Sequence, residues 1–316
     1  MLGLPEKAFA DPETGRTLDE FQLADWLEGC ITFADDVISQ HDVVDVLQEN
    51  YLINKTDTQS AKDDATNRVE AAWSEIDRRA LCLGESATYR VNGVRIERKC
   101  EWQTSLAFTF CLLIGLRPVF RKTFKEYKDY TEQGELFEKV TIAALKALGW
   151  EVHCVGWSKR RANSIADKVG AAARFIGVEP LDGATEKWTP PKVKDAGLDV
   201  ICQYVFKDGW SGKPVILTQC ASGENWEDKL HTPDLNTWRK LVDFCTAPLR
   251  GLSMPFVIRP ERFRRAGVRD SVTMLLDRNR LAVPARSPSD WIPGDLAKAL
   301  EVWMKSRVET LIATAS

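Results

Sequence analysis

The sequence predicts an α/β protein, with a mixed sheet flanked by helices, preceded by a mainly helical N-terminal domain. Apolar residues recur at helical spacing in GELFEKVTIAALKALGWEV, which is followed by short runs rich in β-branched and aromatic residues, GLDVICQYVF and PVILTQCAS. The N-terminal part instead holds several helical patterns and one hairpin. Because 316 residues are long for a single core, we expect two domains, residues 1–130 and 131–316.

The N-terminal domain is expected to be helical, with a β-hairpin near residues 88–98. A first helix runs through LDEFQLADWLEG, with Thr17 or Asp19 as its cap. Further helices are predicted around HDVVDVLQENYL and over RVEAAWSEIDRRALCLG and EWQTSLAFTFCLLIGL, while the polar NKTDTQSAKDDATN is predicted to be a loop. The segment TYRVNGVRIERK is a hairpin that turns at Asn92–Gly93.

The second domain has the predicted order helix, three strands, helix, strand. Its first helix ends at Gly149, and EVHCVGW is the first strand. After an insertion, GLDVICQYVF and PVILTQCAS are the next two strands. TPDLNTWRKLVDFCTA is then a helix and MPFVI the fourth strand, followed by a basic turn with an apolar strand in ERFRRAGVRDSVTMLLDRNRLAV. The amphipathic IPGDLAKALEVWMKSRVETLIA is expected to close this domain.

Two polar residues are expected to meet at one end of this sheet. The two central strands form a hairpin that turns through Asp208–Gly212, and residue 209 lies midway between Asp199 and Gln219. The two side chains therefore face each other across the ladder, on the same face. Glu138 lies at the edge of the apolar stripe of the first helix, where a carboxylate favours a metal or cation partner.

These residues resemble the PD-(D/E)xK nuclease superfamily, in particular its Mrr-like restriction endonucleases. The matching residues are Gly134, Phe137 and Glu138 in GELFE, Asp199 in GLDVI and Gln219 in ILTQC. The resemblance covers residues 134–258 and implies a restriction-endonuclease-like αβββαβ core. It also implies Mg²⁺, or Mn²⁺, held by Glu138, Asp199 and Gln219, with a main-chain carbonyl near Cys220 as a further ligand. Oxygen ligands of this kind suit hard divalent ions.

The sequence departs from the family pattern at the catalytic lysine. The family places this lysine two residues after the Gln, where this chain has Ala221. The nearest substitutes are Lys229, which would project from a turn capped by Asn225, and Lys240 on the following helix. We take Lys229 as the residue that orients the attacking water, and the catalytic set as Glu138, Asp199, Gln219 and Lys229.

Charge is distributed unevenly between the two predicted domains. Residues 1–130 hold 16 Lys and Arg against 23 Asp and Glu, whereas residues 131–316 hold 27 against 23. The more basic half thus contains the expected site, as a phosphate-binding groove requires. The acidic half is expected to hold a protein partner, to cover the groove or to remain a solvated surface. The expected DNA phosphate contacts are Lys159, Arg160, Arg161, Arg262, Arg264 and Arg265.

The expected function is that of a Mg²⁺-dependent deoxyribonuclease, acting on double-stranded DNA in defence against foreign DNA. One alternative is a catalytically silent nuclease-fold protein that binds DNA or serves as a scaffold in a defence complex. Another is a cysteine hydrolase that uses Cys220 with His153 or His231 as base. No apolar run is long enough for a membrane span, and the scattered cysteines suit reduced thiols, so we expect a cytoplasmic protein. A homo-oligomer remains open.

Overall fold

A computed structural model describes residues 1–5, 19–52, 58–156, 164–188, 196–210, 212–284 and 290–315. The protein is mixed α/β with a helical N-terminal region, as predicted. Its helices are α1 (Glu20–Phe33), α2 (Gln40–Leu52), α3 (Thr58–Leu83), α4 (Leu106–Leu116), α5 (Tyr130–Ala147), α6 (Ile165–Ile176), α7 (Ala184–Trp188), α8 (Leu235–Leu241), α9 (Pro260–Val268), α10 (Arg278–Ala282) and α11 (Gly294–Ile312). Its strands are β1 (Val37–Ser39), β2 (Tyr89–Asn92), β3 (Arg95–Arg98), β4 (Glu151–Cys154), β5 (Val200–Gln203), β6 (Val215–Cys220), β7 (Leu249–Ser253) and β8 (Met274–Leu276).

The chain forms two compact units. The first comprises Met1–Asp129 and Arg278–Ser316, and the second comprises Tyr130–Asp277. The change of unit near residue 130 lies where the sequence placed a domain boundary, but the segment from Arg278 onward groups with the first unit rather than the second. An amphipathic pattern does not say which core it covers. Here α11 buries Trp303, which packs edge-on against Phe110 of α4 with 5.0 Å between ring centroids.

The first unit begins with a capped helix and contains a small sheet. The Asp19 carboxylate accepts a hydrogen bond from the Gln22 backbone N–H at 2.8 Å, which satisfies a free donor at the start of α1. The sheet has the antiparallel order β1-β3-β2, and its predicted turn uses Gly93 with a φ of 58°. Near the two ends of this unit, the Gly3 N–H donates to Thr314 Oγ1 at 3.2 Å.

Helix α3 begins earlier than predicted. The polar segment from Thr58 was expected to be a loop, yet it forms the first turns of α3. One reason is local, because the Gln59 amide donates to the Asp63 carboxylate at 2.9 Å, a spacing of four residues that supports a helix. Composition alone could not distinguish this polar helix from a loop.

A cluster of buried charges lies inside the first unit. Arg79 and Arg278 are both fully buried, and both guanidinium groups contact Asp25 and Glu28 of α1. Glu28 also accepts a hydrogen bond from the Tyr89 hydroxyl at 2.6 Å. Buried charges are tolerated only when they are paired and hydrogen-bonded, as they are here. This ion cluster joins α1, α3, β2 and the first residue of α10.

The second unit is built on a five-stranded mixed sheet of order β4-β5-β6-β7-β8. The first two pairs are antiparallel and the last two are parallel. Because β5 and β6 are antiparallel, the start of β5 lies beside the end of β6. Val200 opposes Thr218, and this register continues to Asp199 and Gln219 as the sequence predicted.

Each face of this sheet has its own packing. One face carries an apolar cluster with the helices α6 and α8, and its members include Val155, Val169, Ala173, Ile201, Leu217, Trp238 and Leu241. On α5, the Thr141 hydroxyl forms a buried hydrogen bond of 2.8 Å with the Ser253 hydroxyl of β7. Gly251 of β7 pairs with Thr218 of β6. A Cβ on Gly251 would lie 2.5 Å from Thr218 Oγ1, so only glycine leaves space for the threonine side chain.

The fourth strand lies earlier in the chain than predicted. MPFVI was expected to be this strand, but β7 is Leu249–Ser253 and ends before it. The sequence signal was weak because β7 carries Arg250, whose side chain is buried and donates to the Pro233 and Asp270 carbonyls. Among the described residues, no helix has the length and apolarity needed to cross a membrane.

Candidate functional site

Asp199 is held firmly at the start of β5. Its backbone N–H donates to the Thr218 carbonyl at 3.2 Å, and its carbonyl accepts from the Val155 and Gly156 N–H groups at 2.7 and 2.9 Å. The backbone of Asp199 is therefore bonded to both neighbouring strands. Its side chain therefore extends from a fixed backbone at one end of the sheet, and a carboxylate positioned in this way loses little entropy when it binds a ligand.

The Asp199 carboxylate meets the end of β6. Asp199 Oδ2 accepts a hydrogen bond from the Cys220 backbone N–H at 2.7 Å and another from the Gln219 side-chain amide. Two polar side chains that are 20 residues apart in the chain thus touch. The hairpin register predicts this contact, since it places the two residues opposite each other.

Glu138 approaches the same region from α5. Its side chain is buried, and Oε1 accepts a hydrogen bond from the Cys154 thiol at 2.7 Å. Cys154 is the last residue of β4, which is next to β5 in the sheet. The helix therefore carries a carboxylate to the edge strand of the sheet, where its partner is a thiol rather than the metal or cation that the sequence led us to expect.

The Cys220 thiol lies near both carboxylates. Its pKa is raised well above the ordinary value, first by burial and then by the negative charges of Asp199 and Glu138. The two carboxylates also approach adjacent strands, since Glu138 bonds to Cys154, which opposes Val200, the residue after Asp199. A hydrogen bond with Thr141 lowers the pKa but does not offset these effects.

The same environment disfavours Cys220 as a nucleophile. The thiolate is the reactive form of cysteine, and negative neighbours together with burial suppress it. The two histidines considered as bases have other neighbours. His153 stacks on Phe175 with 5.4 Å between ring centroids, and His231 lies 3.9 Å from the Asp270 carboxylate. These features do not form the nucleophile and base pair that a cysteine hydrolase needs.

A lysine that the sequence did not single out bonds to a residue that packs against Asp199. Lys168, in the first turn of α6, donates from its ammonium group to the Gly156 carbonyl at 3.3 Å. Gly156 is packed against Asp199, because a Cβ built on it would lie 2.6 Å from Asp199 Oδ1. No local pattern in the sequence distinguishes this lysine, because its place beside Gly156 depends on how α6 packs against the sheet.

The lysines considered as substitutes are placed differently. Lys229 ends a short 3-10 helix, Trp226–Lys229, which Asn225 precedes without a capping hydrogen bond. Within the described residues, the Lys229 ammonium makes no hydrogen bond or ion pair with Glu138, Asp199 or Gln219. The Lys240 ammonium lies over the Trp188 ring, 4.0 Å from its centroid.

The expected phosphate contacts fall into three groups. Arg264 and Arg265 are exposed on α9, where a polyanion can reach them. Arg262 is instead half-buried, with Nε bonded to Glu227 at 2.8 Å, and its main role here is to join α9 to the 3-10 helix. Lys159, Arg160 and Arg161 lie outside the described residues.

The donor atoms at this site suit a partly hydrated Mg²⁺ ion. Among the described residues, no group of three or more His, Cys, Asp or Glu side chains is arranged to hold a metal ion. Mg²⁺ needs fewer protein ligands, because it commonly binds through one or two carboxylates and keeps its waters. Two carboxylates are present in Glu138 and Asp199, and they approach the site from α5 and from the start of β5. Gln219 would have to turn its amide to offer oxygen.

Comparison with family models, curated proteins and solved structures found no match for this chain. The functional interpretation therefore depends on the site itself. The structure brings Asp199 and Gln219 into contact, and it bonds Glu138 to Cys154, which opposes Val200, the residue after Asp199. Lys168 bonds to Gly156, which packs against Asp199, whereas within the described residues Lys229 makes no hydrogen bond or ion pair with the three site residues.

Proposed function

We propose that the second unit is a metal-dependent nuclease of the PD-(D/E)xK type that hydrolyses phosphodiester bonds of DNA. The observation that carries the proposal is the meeting of Asp199 and Gln219 at the sheet end, with Glu138 bonded to Cys154, which opposes the residue after Asp199. Acidic and amide groups from one helix and two strands, in this chain order, are the pattern that the resemblance implies. The helix, three strands, helix and strand of this unit support a restriction-endonuclease-like core.

Glu138, Asp199 and Gln219 would hold the ion, Mg²⁺ or Mn²⁺. A bound divalent ion would supply charge stabilisation for the attacked phosphate and a water of lowered pKa. The rigid backbone of Asp199 fixes the position of its carboxylate. The Lys168 ammonium bonds to Gly156, which packs against Asp199, and in the proposed site it would face a phosphate oxygen or the attacking water. Lys168 therefore replaces Lys229 in the proposed catalytic group.

The proposed substrate is double-stranded DNA, and the proposed setting is defence against foreign DNA. Arg264 and Arg265 on α9 supply exposed positive charge on the same unit for backbone phosphates. The biological setting comes from the resemblance alone, because a fold does not determine a function.

The direct test is incubation of the purified chain with supercoiled and linear double-stranded DNA in Mg²⁺ or Mn²⁺. We expect cleavage by the wild type and a loss of at least about 10²-fold in Asp199→Asn, since a preorganised charged group is removed from the reacting centre. Asp243→Asn, which changes an exposed carboxylate of the same unit, is the matched control and should cleave normally.

A second pair of variants separates the two lysines. Lys168→Met should lower the cleavage rate by about 10²-fold, whereas Lys229→Met should leave it within a few-fold. The opposite result would return the catalytic role to Lys229. A wild type that binds DNA but cleaves none with either ion would instead support the silent, DNA-binding alternative.

A further inference from the structure

Exposed aromatic residues occur at the opposite end of the β5–β6 hairpin from Asp199. Tyr204 and Phe206 follow β5 directly, and they are 45% and 49% exposed. Trp210, in the same connection, is 74% exposed. Trp150, just before β4, packs edge-on against Tyr204. We call Trp150, Tyr204, Phe206 and Trp210 the aromatic patch.

The patch is ordered rather than a loose collection of side chains. Ring centroids are 6.0 Å apart for Trp150 and Tyr204 and 5.3 Å apart for Tyr204 and Phe206, with interplanar angles of 78° and 72°. Asp208 Oδ1 accepts a hydrogen bond from the Trp210 backbone N–H at 3.1 Å, which supports the turn that carries this tryptophan. The packed rings of Trp150, Tyr204 and Phe206 therefore lose little entropy when a ligand binds.

The local chemistry favours nucleic acid over a protein partner. Within the described part of this connection, the large apolar side chains that are exposed are all aromatic, and aromatic rings offer flat faces for stacking. Lys207 and Lys213 lie on either side of Trp210 in the chain, against one acidic residue, Asp208, whose carboxylate is directed to its own turn. Aromatic rings with interspersed ammonium groups match unpaired bases and their phosphates.

We propose that the aromatic patch binds single-stranded nucleic acid by base stacking. This inference concerns binding and goes beyond the nuclease proposal. Tyr204 lies five residue steps of extended chain from Asp199, about 17 Å at a strand's rise per residue. A strand of the usual site size, about 4–16 nucleotides, spans such a distance. A strand held at the patch can therefore reach along the hairpin toward the carboxylates.

The test is a fluorescence anisotropy titration of the full chain with a labelled deoxythymidine oligomer of about 16 nucleotides. The titration is made in EDTA, so its result does not depend on cleavage or on a divalent ion. We expect the wild type to bind, and Phe206→Ala and Trp210→Ala each to weaken binding by about 5- to 150-fold. Trp188→Ala, which removes a 42% exposed tryptophan outside the patch, should bind like the wild type.

Charge and assembly provide two further readouts. Lys207→Gln should lower the slope of log affinity against log salt by about 0.7, the value for one phosphate of a single strand. The proposal is overturned if the wild type does not bind the oligomer, or if Phe206→Ala and Trp210→Ala bind as tightly as it does. Light scattering that shows a dimer dissociated by Trp210→Ala would also overturn it, since the patch would then be a contact between two copies of the chain.

Discussion

The absence of one Cβ atom at Gly156 leaves space for the Asp199 carboxylate. A Cβ there would lie 2.6 Å from Asp199 Oδ1 and 3.0 Å from Asp199 Cα. The backbone cannot easily move away, because the Val155 and Gly156 N–H groups both donate to the Asp199 carbonyl. Any side chain at position 156 must therefore displace the carboxylate or strain the ladder.

We predict that Gly156→Ala lowers the free energy of unfolding by about 1–3 kcal/mol, as overpacking of a closed site does. Gly134→Ala is the matched control. It lies inside α5 with nothing within 4 Å of the added Cβ, so it should stabilise by about 0.4–1 kcal/mol. Urea denaturation of both variants measures these changes. If both substitutions change the free energy of unfolding by the same amount and in the same direction, the close approach of Gly156 to Asp199 does not affect stability.

At the residue scale, the sequence could predict the part of the site that depends on register. Asp199 and Gln219 belong to one hairpin, and side-chain alternation then decides their face. Lys168 could not be predicted in this way. It comes from an insertion between β4 and β5, and the direction in which an insertion folds back depends on tertiary packing, here of Val169 and Ala173 against the sheet.

At the scale of single elements, α8 depends on its N-terminal cap. The Asp234 carboxylate accepts hydrogen bonds from the Asn236 and Thr237 N–H groups at 3.1 and 3.2 Å and from the Thr237 hydroxyl at 2.6 Å. This short helix buries Trp238 and Leu241 against the sheet that carries the site. The hydrogen bond from the Thr237 hydroxyl is the main cause that lowers the pKa of Asp234 below its usual value.

We predict that Asp234→Ala costs about 0.5–2 kcal/mol of stability at neutral pH, whereas Asp234→Asn keeps most of it. The lowered pKa belongs to the folded state, so the stabilisation by the charged form is full above the unfolded pKa, near 4. It is lost as the pH falls through the folded pKa. Denaturation curves at a series of acidic pH values should show the difference between wild type and Asp234→Ala shrinking. A constant difference would contradict this.

Elements with strong apolar periodicity were predictable, and those whose polar residues are satisfied by tertiary contacts were not. The patterns of α1, α5, β5 and β6 are all visible in the sequence. Strand β7 was missed because Arg250 interrupts its apolar pattern. Its guanidinium finds two carbonyl partners only in the folded chain.

At the scale of the whole molecule, the ion cluster of the first unit joins residues from distant parts of the chain. The Arg278 guanidinium contacts Asp25 at 2.6 Å, across 253 positions. We predict that Arg278→Met lowers the stability of the first unit by about 3–5 kcal/mol, because Asp25 and Glu28 remain buried with one cation fewer. Hydrogen exchange read by mass spectrometry measures this, since it reports on each unit separately.

Lys305→Met controls for the change of charge. Lys305 is exposed on α11 of the same unit, and its replacement should alter stability by less than about 0.5 kcal/mol. If the two variants exchange alike, the ion cluster does not hold the first unit together.

The expected division into residues 1–130 and 131–316 shows what sequence reasoning lacks at this scale. The boundary near 130 follows a change in composition and charge, which the sequence displays. The grouping of Arg278–Ser316 with the first unit depends on contacts of Arg278 and Trp303 with residues far earlier in the chain. Local patterns carry no information on such partners.

The contact between Gly3 and Thr314 suits the design of a circular permutant. A short peptide could join these neighbouring ends, and new termini could open between Asp129 and Tyr130, where one unit gives way to the other. In such a circular permutant the second unit, Tyr130–Asp277, would come first. The first unit would follow it as one uninterrupted polypeptide. Each half of the protein would then be available as a contiguous coding segment.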